Sequence, residues 1–200
     1  MLLCTTKCAL ASEPVADQRG TVQPEAIQPE AIQPETIQFS YTACSNITSE
    51  HLTILQLYQR GVPQSLAVES LPRISKTAKK RVEYIYDLAR QRGLLNTYSD
   101  INTNYARCAT LVHKHHGIPA PDQNEYAFYF CAGENKRRFE IILHSDRSAD
   151  ETDLLAKTPP SHHGVAKKYY HLIRNKGLLA AFDYTANNLK ACLNNQQRPF

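Results

Sequence analysis

Five histidines stand in two clusters that suggest metal coordination. His113 and His116 are three residues apart and would share one face of a helix, with His115 between them, and imidazole nitrogens are common ligands of zinc. The second cluster is His162–His163. Each cluster precedes a glycine at a predicted helix end, where donor side chains also satisfy free carbonyls and the helix dipole. No acidic or sulfur ligand stands at a diagnostic spacing, so we predict no metal site.

Basic residues form three clusters, each followed by a tyrosine or phenylalanine. A nucleic-acid surface needs a continuous basic face with exposed aromatic rings. These aromatic residues fall at core-like spacing, so nucleic acid is not the favoured partner, and an acidic protein or an anionic envelope surface is preferred. The clusters are Lys76, Lys79, Lys80 and Arg81, then Lys136, Arg137 and Arg138, then Lys167 and Lys168.

Motifs for nucleophilic, zinc-hydrolase or phosphate-binding chemistry are absent from the sequence. The carboxylate pair Asp150–Glu151 stands where a short helix is predicted to begin, which is a favoured place for acidic residues. We therefore predict no catalytic residue and no cofactor. The alternative is a small secreted hydrolase with an unrecognised polar cleft.

The cysteine pattern indicates disulfide bonds. Six cysteines are present, and removal of a leader carrying Cys4 and Cys8 would leave an even set of four, as in many exported proteins. Four cysteines allow three pairings, and four unpaired thiols in a cytosolic protein are a further alternative. We favour Cys44 with Cys108 and Cys131 with Cys192. The chain contains two similar units, described below, and each unit should keep its own disulfide.

The first 43 residues are typical of a signal peptide for export followed by a spacer. Residues 1–11 are mildly apolar and end in Ala-Leu-Ala, which resembles the end of a signal peptide; an arbitrary disordered N-terminus is the alternative. Residues 12–43 contain the repeat Gln-Pro-Glu-Ala/Thr-Ile and five acids with one base. Regular prolines and isolated isoleucines predict an extended or disordered spacer.

The rest of the chain shows internal similarity. Residues 84–108 and 168–192 align with a shift of 84 residues, and ten of the 25 positions match, eight of them identically and two conservatively, with Gly93 against Gly177 and Cys108 against Cys192 in step. We therefore predict two tandem repeat units, residues 44–117 and 118–200. Units of this size bury little apolar surface and need a covalent cross-link to be stable. A disulfide that closes a loop of this length contributes about 4 kcal/mol in the chain-entropy model.

Helix signals recur in both predicted units. Thr48 or Ser49 is expected to cap the first helix, with Gly61 at its end, and Pro63 to open a short second helix. Ser75 and Ser99 are expected to cap two more. In the second unit we predict helices near residues 134–145, 150–157, 163–176 and 183–195, and we assign the aromatic run 125–132 to a helix.

These observations predict an all-α protein of two tandem units with about four helices each, each unit closed by an internal disulfide. No apolar run approaches the roughly 18 to 20 residues that a membrane span needs. From Cys44 onward 21 basic residues face 14 acidic ones, a weak bias toward anionic partners. We expect a periplasmic or extracellular, non-enzymatic protein that binds another protein or an anionic envelope surface.

Overall fold

The computed structural model describes residues 40–70 and 76–195. The predicted signal peptide and residues 12–39 of the predicted spacer lie outside the described residues, as does the expected cap Ser75. Within the described ranges the chain forms seven α-helices and no strand. The predicted all-α class is therefore confirmed.

The helices follow one another with short connections. Their bounds are α1 Tyr41–Gln59, α2 Gln64–Ser70, α3 Lys76–His116, α4 Asn124–Arg147, α5 Glu151–Ala156, α6 His163–Lys176 and α7 Leu178–Asn195, with a 3-10 turn at Pro160–His162 before α6. The aromatic run 125–132 is helical, as predicted, and lies in the first half of α4. None of the described helices is long and apolar enough to cross a membrane.

The first helix begins earlier than the sequence suggested. Ser40 is its N-cap, and the Ser40 hydroxyl accepts a hydrogen bond of 3.0 Å from the amide of Ala43. The expected cap at Thr48 or Ser49 is therefore wrong: Thr48 is buried in the interior of α1. Residues 41–43, assigned to the spacer from the sequence, form the first turn of this helix. Serine and threonine can each cap a helix. Ser40 is the cap here because the helical turn that follows it carries Tyr41 and Cys44, which are buried in the core.

Two glycines redirect the chain between packed helices. Gly93 interrupts α3 with φ 76° and ψ 163°, and Gly177 separates α6 from α7 with φ 83° and ψ 168°. This backbone region is essentially reserved for glycine. The predicted helix breaks at both residues are confirmed, although the helix after Gly93 resumes at once and needs no cap at Ser99.

Two disulfides fix the bundle, with the pairing favoured from the sequence. Cys44 is bonded to Cys108, and Cys131 is bonded to Cys192; both Cα–Cα distances are 5.9 Å. The first bond ties α1 to the second half of α3, and the second ties α4 to α7. Each closes a long loop and so restricts the unfolded chain.

One hydrophobic core runs through the described helices. Helix α1 packs on α3, and α4 packs on α6 and α7, but α1 also packs on α4 and α7. Tyr98 stacks on Phe182 across the two halves, with ring centroids 5.6 Å apart, and the Asn135 side chain donates a buried 2.8 Å hydrogen bond to Asn102. The halves thus share their core, and their division into tandem units stays a prediction.

Candidate binding groove between α3 and α4

Small residues create a concave surface where the second half of α3 lies beside α4. Two cavities, of about 220 and 590 Å³, adjoin along this pair of helices and share Ala106, Thr110 and Lys136. We refer to them together as the α3–α4 groove. Its floor consists of Ala106 and Ala109 on α3, and of Ala132, Gly133, Phe139 and Leu143 on α4.

An aromatic pair closes the end of the groove nearest α1. The rings of Tyr41 and Tyr129 meet edge to face, with centroids 5.3 Å apart. The Tyr41 hydroxyl donates a 3.1 Å hydrogen bond to the carbonyl of Gly117, which fixes the start of α1 against the end of α3. The groove therefore has a closed end and an open side.

The exposed rim on α3 combines one apolar and two basic side chains. Arg107, Leu111 and Lys114 follow a spacing of four and then three residues, which places them on one helix face. Leu111 is 43 % exposed, so its side chain is available to a ligand at this rim. Among the described residues neither Arg107 nor Lys114 forms an ion pair, so both charges face the groove mouth uncompensated.

The opposite rim is electrically neutral. Lys136 on α4 lines both cavities, and its ammonium lies 2.5 Å from the carboxylate of Glu140 one turn later. The positive charge of the groove therefore comes from α3 alone. A ligand that carries acidic groups along one side would meet Arg107 and Lys114 there.

Carboxylates partly neutralise the three basic clusters of the sequence. Most of their members pair with carboxylates, several of them one helical turn away, and such exposed pairs contribute little stability but lower the local charge. The pairs are Arg81–Glu50, Lys136–Glu140, Arg137–Glu134, Arg138–Glu134 and Lys167–Glu151, with N–O distances from 2.5 to 3.6 Å.

The histidine clusters take different positions. His113 lines the narrow end of the groove, whereas the rings of His115 and His116 lie on the exposed end of α3 with centroids 6.4 Å apart. The His163 ring contacts the Thr158 carbonyl at 2.9 Å. Within residues 40–70 and 76–195, no three histidine, cysteine or acidic side chains gather in a way that could hold a metal ion.

Polar contacts that resemble parts of a catalytic site are scattered over the surface. Ser161 Oγ lies 2.9 Å from Nδ1 of the neighbouring His162, and His171 Nε2 lies 3.0 Å from Glu151. Lys168 donates a hydrogen bond to the Tyr184 hydroxyl, which lowers the pKa of that phenol. These three pairs share no residue, and each lies on α6 or in the 3-10 turn before it.

Sequence reasoning missed the groove because its two walls belong to different predicted units. The predicted boundary at residues 117 and 118 separates α3 from α4, so a core predicted within each unit does not bring these two helices together. One feature of the sequence could have indicated the groove. On one face of α3 an apolar side chain, Leu111, lies between two bases, Arg107 and Lys114, and this face carries no other large apolar residue.

In comparisons with known proteins, no family model, no curated protein and no solved structure matches this chain.

Proposed function

We propose that this is an exported, non-enzymatic binding protein whose α3–α4 groove binds an acidic, partly apolar segment of another protein. The observation that carries the proposal is the combination of an apolar floor with two unpaired bases, Arg107 and Lys114, on one rim. An exposed leucine between two cations provides contact area and charge selection in the same place.

The concave shape favours a protein segment over a flat anionic envelope surface. Ala106 and Gly133 line the concave surface together with the longer side chains of the rim, and a convex ligand such as a helix or an extended strand fits a surface of this shape. A bilayer surface would contact the rim residues alone. The acidic protein is therefore the partner we choose, and a lipid is the competing outcome of the test.

The disulfides support a location outside the cytoplasm. Structural disulfides persist in the periplasm and the extracellular space and are rare in the reducing cytosol. The Cys44–Cys108 and Cys131–Cys192 bonds each join helices that are distant in sequence. We therefore place the protein in the periplasm or outside the cell.

Site-specific photo-cross-linking tests the proposed partner. The photoreactive residue p-benzoylphenylalanine replaces Leu111 in the full chain, in the native cells. A matched chain carries it at Leu66, an exposed leucine on α2 outside the groove. We expect a discrete protein adduct from position 111 only, and an acidic segment at the cross-linked site by mass spectrometry.

Charge reversal on the α3 rim is the second part of the cross-linking test. The double change Arg107→Glu and Lys114→Glu should reduce the yield of the adduct at position 111 by about tenfold, because like charges then oppose the partner. Adducts with lipid alone would select the envelope surface instead. Equal labelling from positions 66 and 111, or a yield indifferent to charge reversal, would contradict the proposal.

A further inference from the structure

The repeats upstream of α1 have the composition of the ligand that the α3–α4 groove is proposed to bind. We call residues 23–38 the repeat tract; it contains three copies of Gln-Pro-Glu-Ala/Thr-Ile. Each copy places an isoleucine two residues after a glutamate, and the tract contains no base. The chain therefore carries an acidic, partly apolar segment of its own.

The order of side chains in the repeat tract complements the order on the α3 rim. The two rim bases flank Leu111 and are seven residues apart, which is about 10 Å along a helix. The tract places Ile32 between Glu30 and Glu35, and these glutamates are about 15 Å apart in an extended chain. Arginine and lysine side chains are several ångströms long, so both bases can reach a carboxylate while the isoleucine meets the leucine.

The chain upstream of α1 joins the described bundle at one end of the groove. Ser40 caps α1, and the next residue, Tyr41, lines the narrow end of the groove. The α4 wall from Tyr129 to Leu143 is about 21 Å long. An extended chain covers about 3.3 Å per residue, so about seven residues span this wall. Residues 30–39 directly precede Ser40 in the sequence and are long enough.

Covalent attachment lowers the affinity that such a ligand needs. A ligand joined to its site by a short connection has an effective concentration in about the millimolar range. Weak contacts then suffice for occupancy. The rim bases Arg107 and Lys114 are suited to carboxylates, and Phe139 and Leu143 on the floor are suited to an isoleucine.

We propose that residues 28–38 of the repeat tract bind the α3–α4 groove of their own chain, with Glu30 and Glu35 paired to the rim bases and Ile32 on the apolar floor. The inference rests on the proposed function, since it requires that the groove binds acidic, partly apolar segments. The tract then competes with the external partner for one surface. A partner binds only by displacing it, so the tract sets the affinity that a partner must exceed.

Photo-cross-linking within the purified, oxidised full chain tests the occupant. With p-benzoylphenylalanine at position 111, we expect an adduct inside one chain that mass spectrometry maps to residues 28–38. The matched chain with the photoreactive residue at position 66 should give no adduct to the tract. The protein is kept dilute, and an adduct that joins two copies would contradict binding within one chain.

A charge swap tests the contacts. Glu30→Lys together with Glu35→Lys should lower the yield of the internal adduct about tenfold, because like charges then face each other. Adding the charge reversal on the α3 rim should restore the yield, since the charges are opposite again. The control pair Glu13→Lys and Asp17→Lys lies outside the repeat tract and should change nothing. A yield that ignores the swap would overturn the proposal.

Cross-linking in the native cells separates this inference from the proposed function. The change of Glu30 and Glu35 to lysine should raise the yield of the partner adduct at position 111, because the tract no longer competes. A partner adduct that this change leaves unaltered, with no internal adduct, would overturn self-binding and support the proposed function. An internal adduct without any partner adduct would support self-binding and contradict the external partner.

Discussion

At the scale of single residues, buried tyrosines supply both core volume and polar links between helices. Tyr105 shares a 2.7 Å hydrogen bond with Ser45, and Tyr169 shares one of 2.7 Å with Thr185. Burial raises the pKa of Tyr105 above its ordinary value and that of Tyr169 to about 12. The fold therefore retains these protons at a pH where the unfolded chain has lost them.

This shift predicts a pH-dependent effect of Tyr169→Phe. A raised folded-state pKa gives stability that is complete below about pH 10 and is lost as the pH rises toward about 12. At about pH 7 the variant should be about 1 kcal/mol less stable, since it lacks the hydrogen bond to Thr185. At about pH 11 the unmodified protein has lost about 1 kcal/mol through this group, so the difference should nearly vanish.

Urea unfolding at the two pH values measures both differences. Tyr126→Phe is the matched control, since the Tyr126 hydroxyl on α4 makes no hydrogen bond within the described part of the chain. The Tyr126→Phe change should have only a small effect on stability. A deficit of Tyr169→Phe that persists unchanged in alkali would show that proton linkage at this residue is negligible.

At the scale of helices, the breaks could be predicted from the sequence better than the starts. Gly93 and Gly177 end helices because their backbone conformation excludes a side chain, and this requirement is visible in one residue. The start of α1 depends instead on packing. Ser40, Thr48 and Ser49 have similar capping chemistry, and only the burial of Cys44 and Tyr41 in the core decides for Ser40.

Two glycine substitutions should have opposite effects on stability. An added Cβ meets no atom within 4 Å at either Gly93 or Gly133, so the backbone alone decides. Gly93→Ala should destabilise by about 1 to 3 kcal/mol, because φ is positive and ψ is extended there. Gly133→Ala, in the regular interior of α4, should stabilise by about 0.5 to 1 kcal/mol.

Thermal and urea unfolding of the two alanine variants provide the comparison. Both changes add the same methyl group, so differences in hydrophobic burial largely cancel between them. Effects of the same sign and size would mean that the turn at Gly93 does not require a glycine.

At the scale of the whole molecule, the sequence predicted the class and the sulfur pairing but not how the halves combine. Of the three possible pairings, internal similarity favours Cys44–Cys108 and Cys131–Cys192 without knowledge of packing, and the structure has this pairing. The stacking of Tyr98 on Phe182 and the Asn135–Asn102 hydrogen bond require both halves together. The α3–α4 groove results from that association, which is why no argument confined to one half could locate it.

Because the two halves share one core, the disulfides also hold the helices that form the groove. The Cys44–Cys108 bond anchors α3, one wall of the groove, to α1, and the Cys131–Cys192 bond anchors α4, the other wall, to α7. A preformed groove loses less conformational entropy when a ligand binds. The proposed binding function therefore depends on intact disulfides.

The most direct test is a disulfide map, together with the mature N-terminus, of protein isolated from the exported fraction of its native cells. Mass spectrometry of a non-reduced digest should find peptides that join Cys44 to Cys108 and Cys131 to Cys192, in a chain that begins after residue 11 and lacks Cys4 and Cys8. A bridge between Cys44 and Cys131, or four free thiols in a cytosolic protein, would contradict the account.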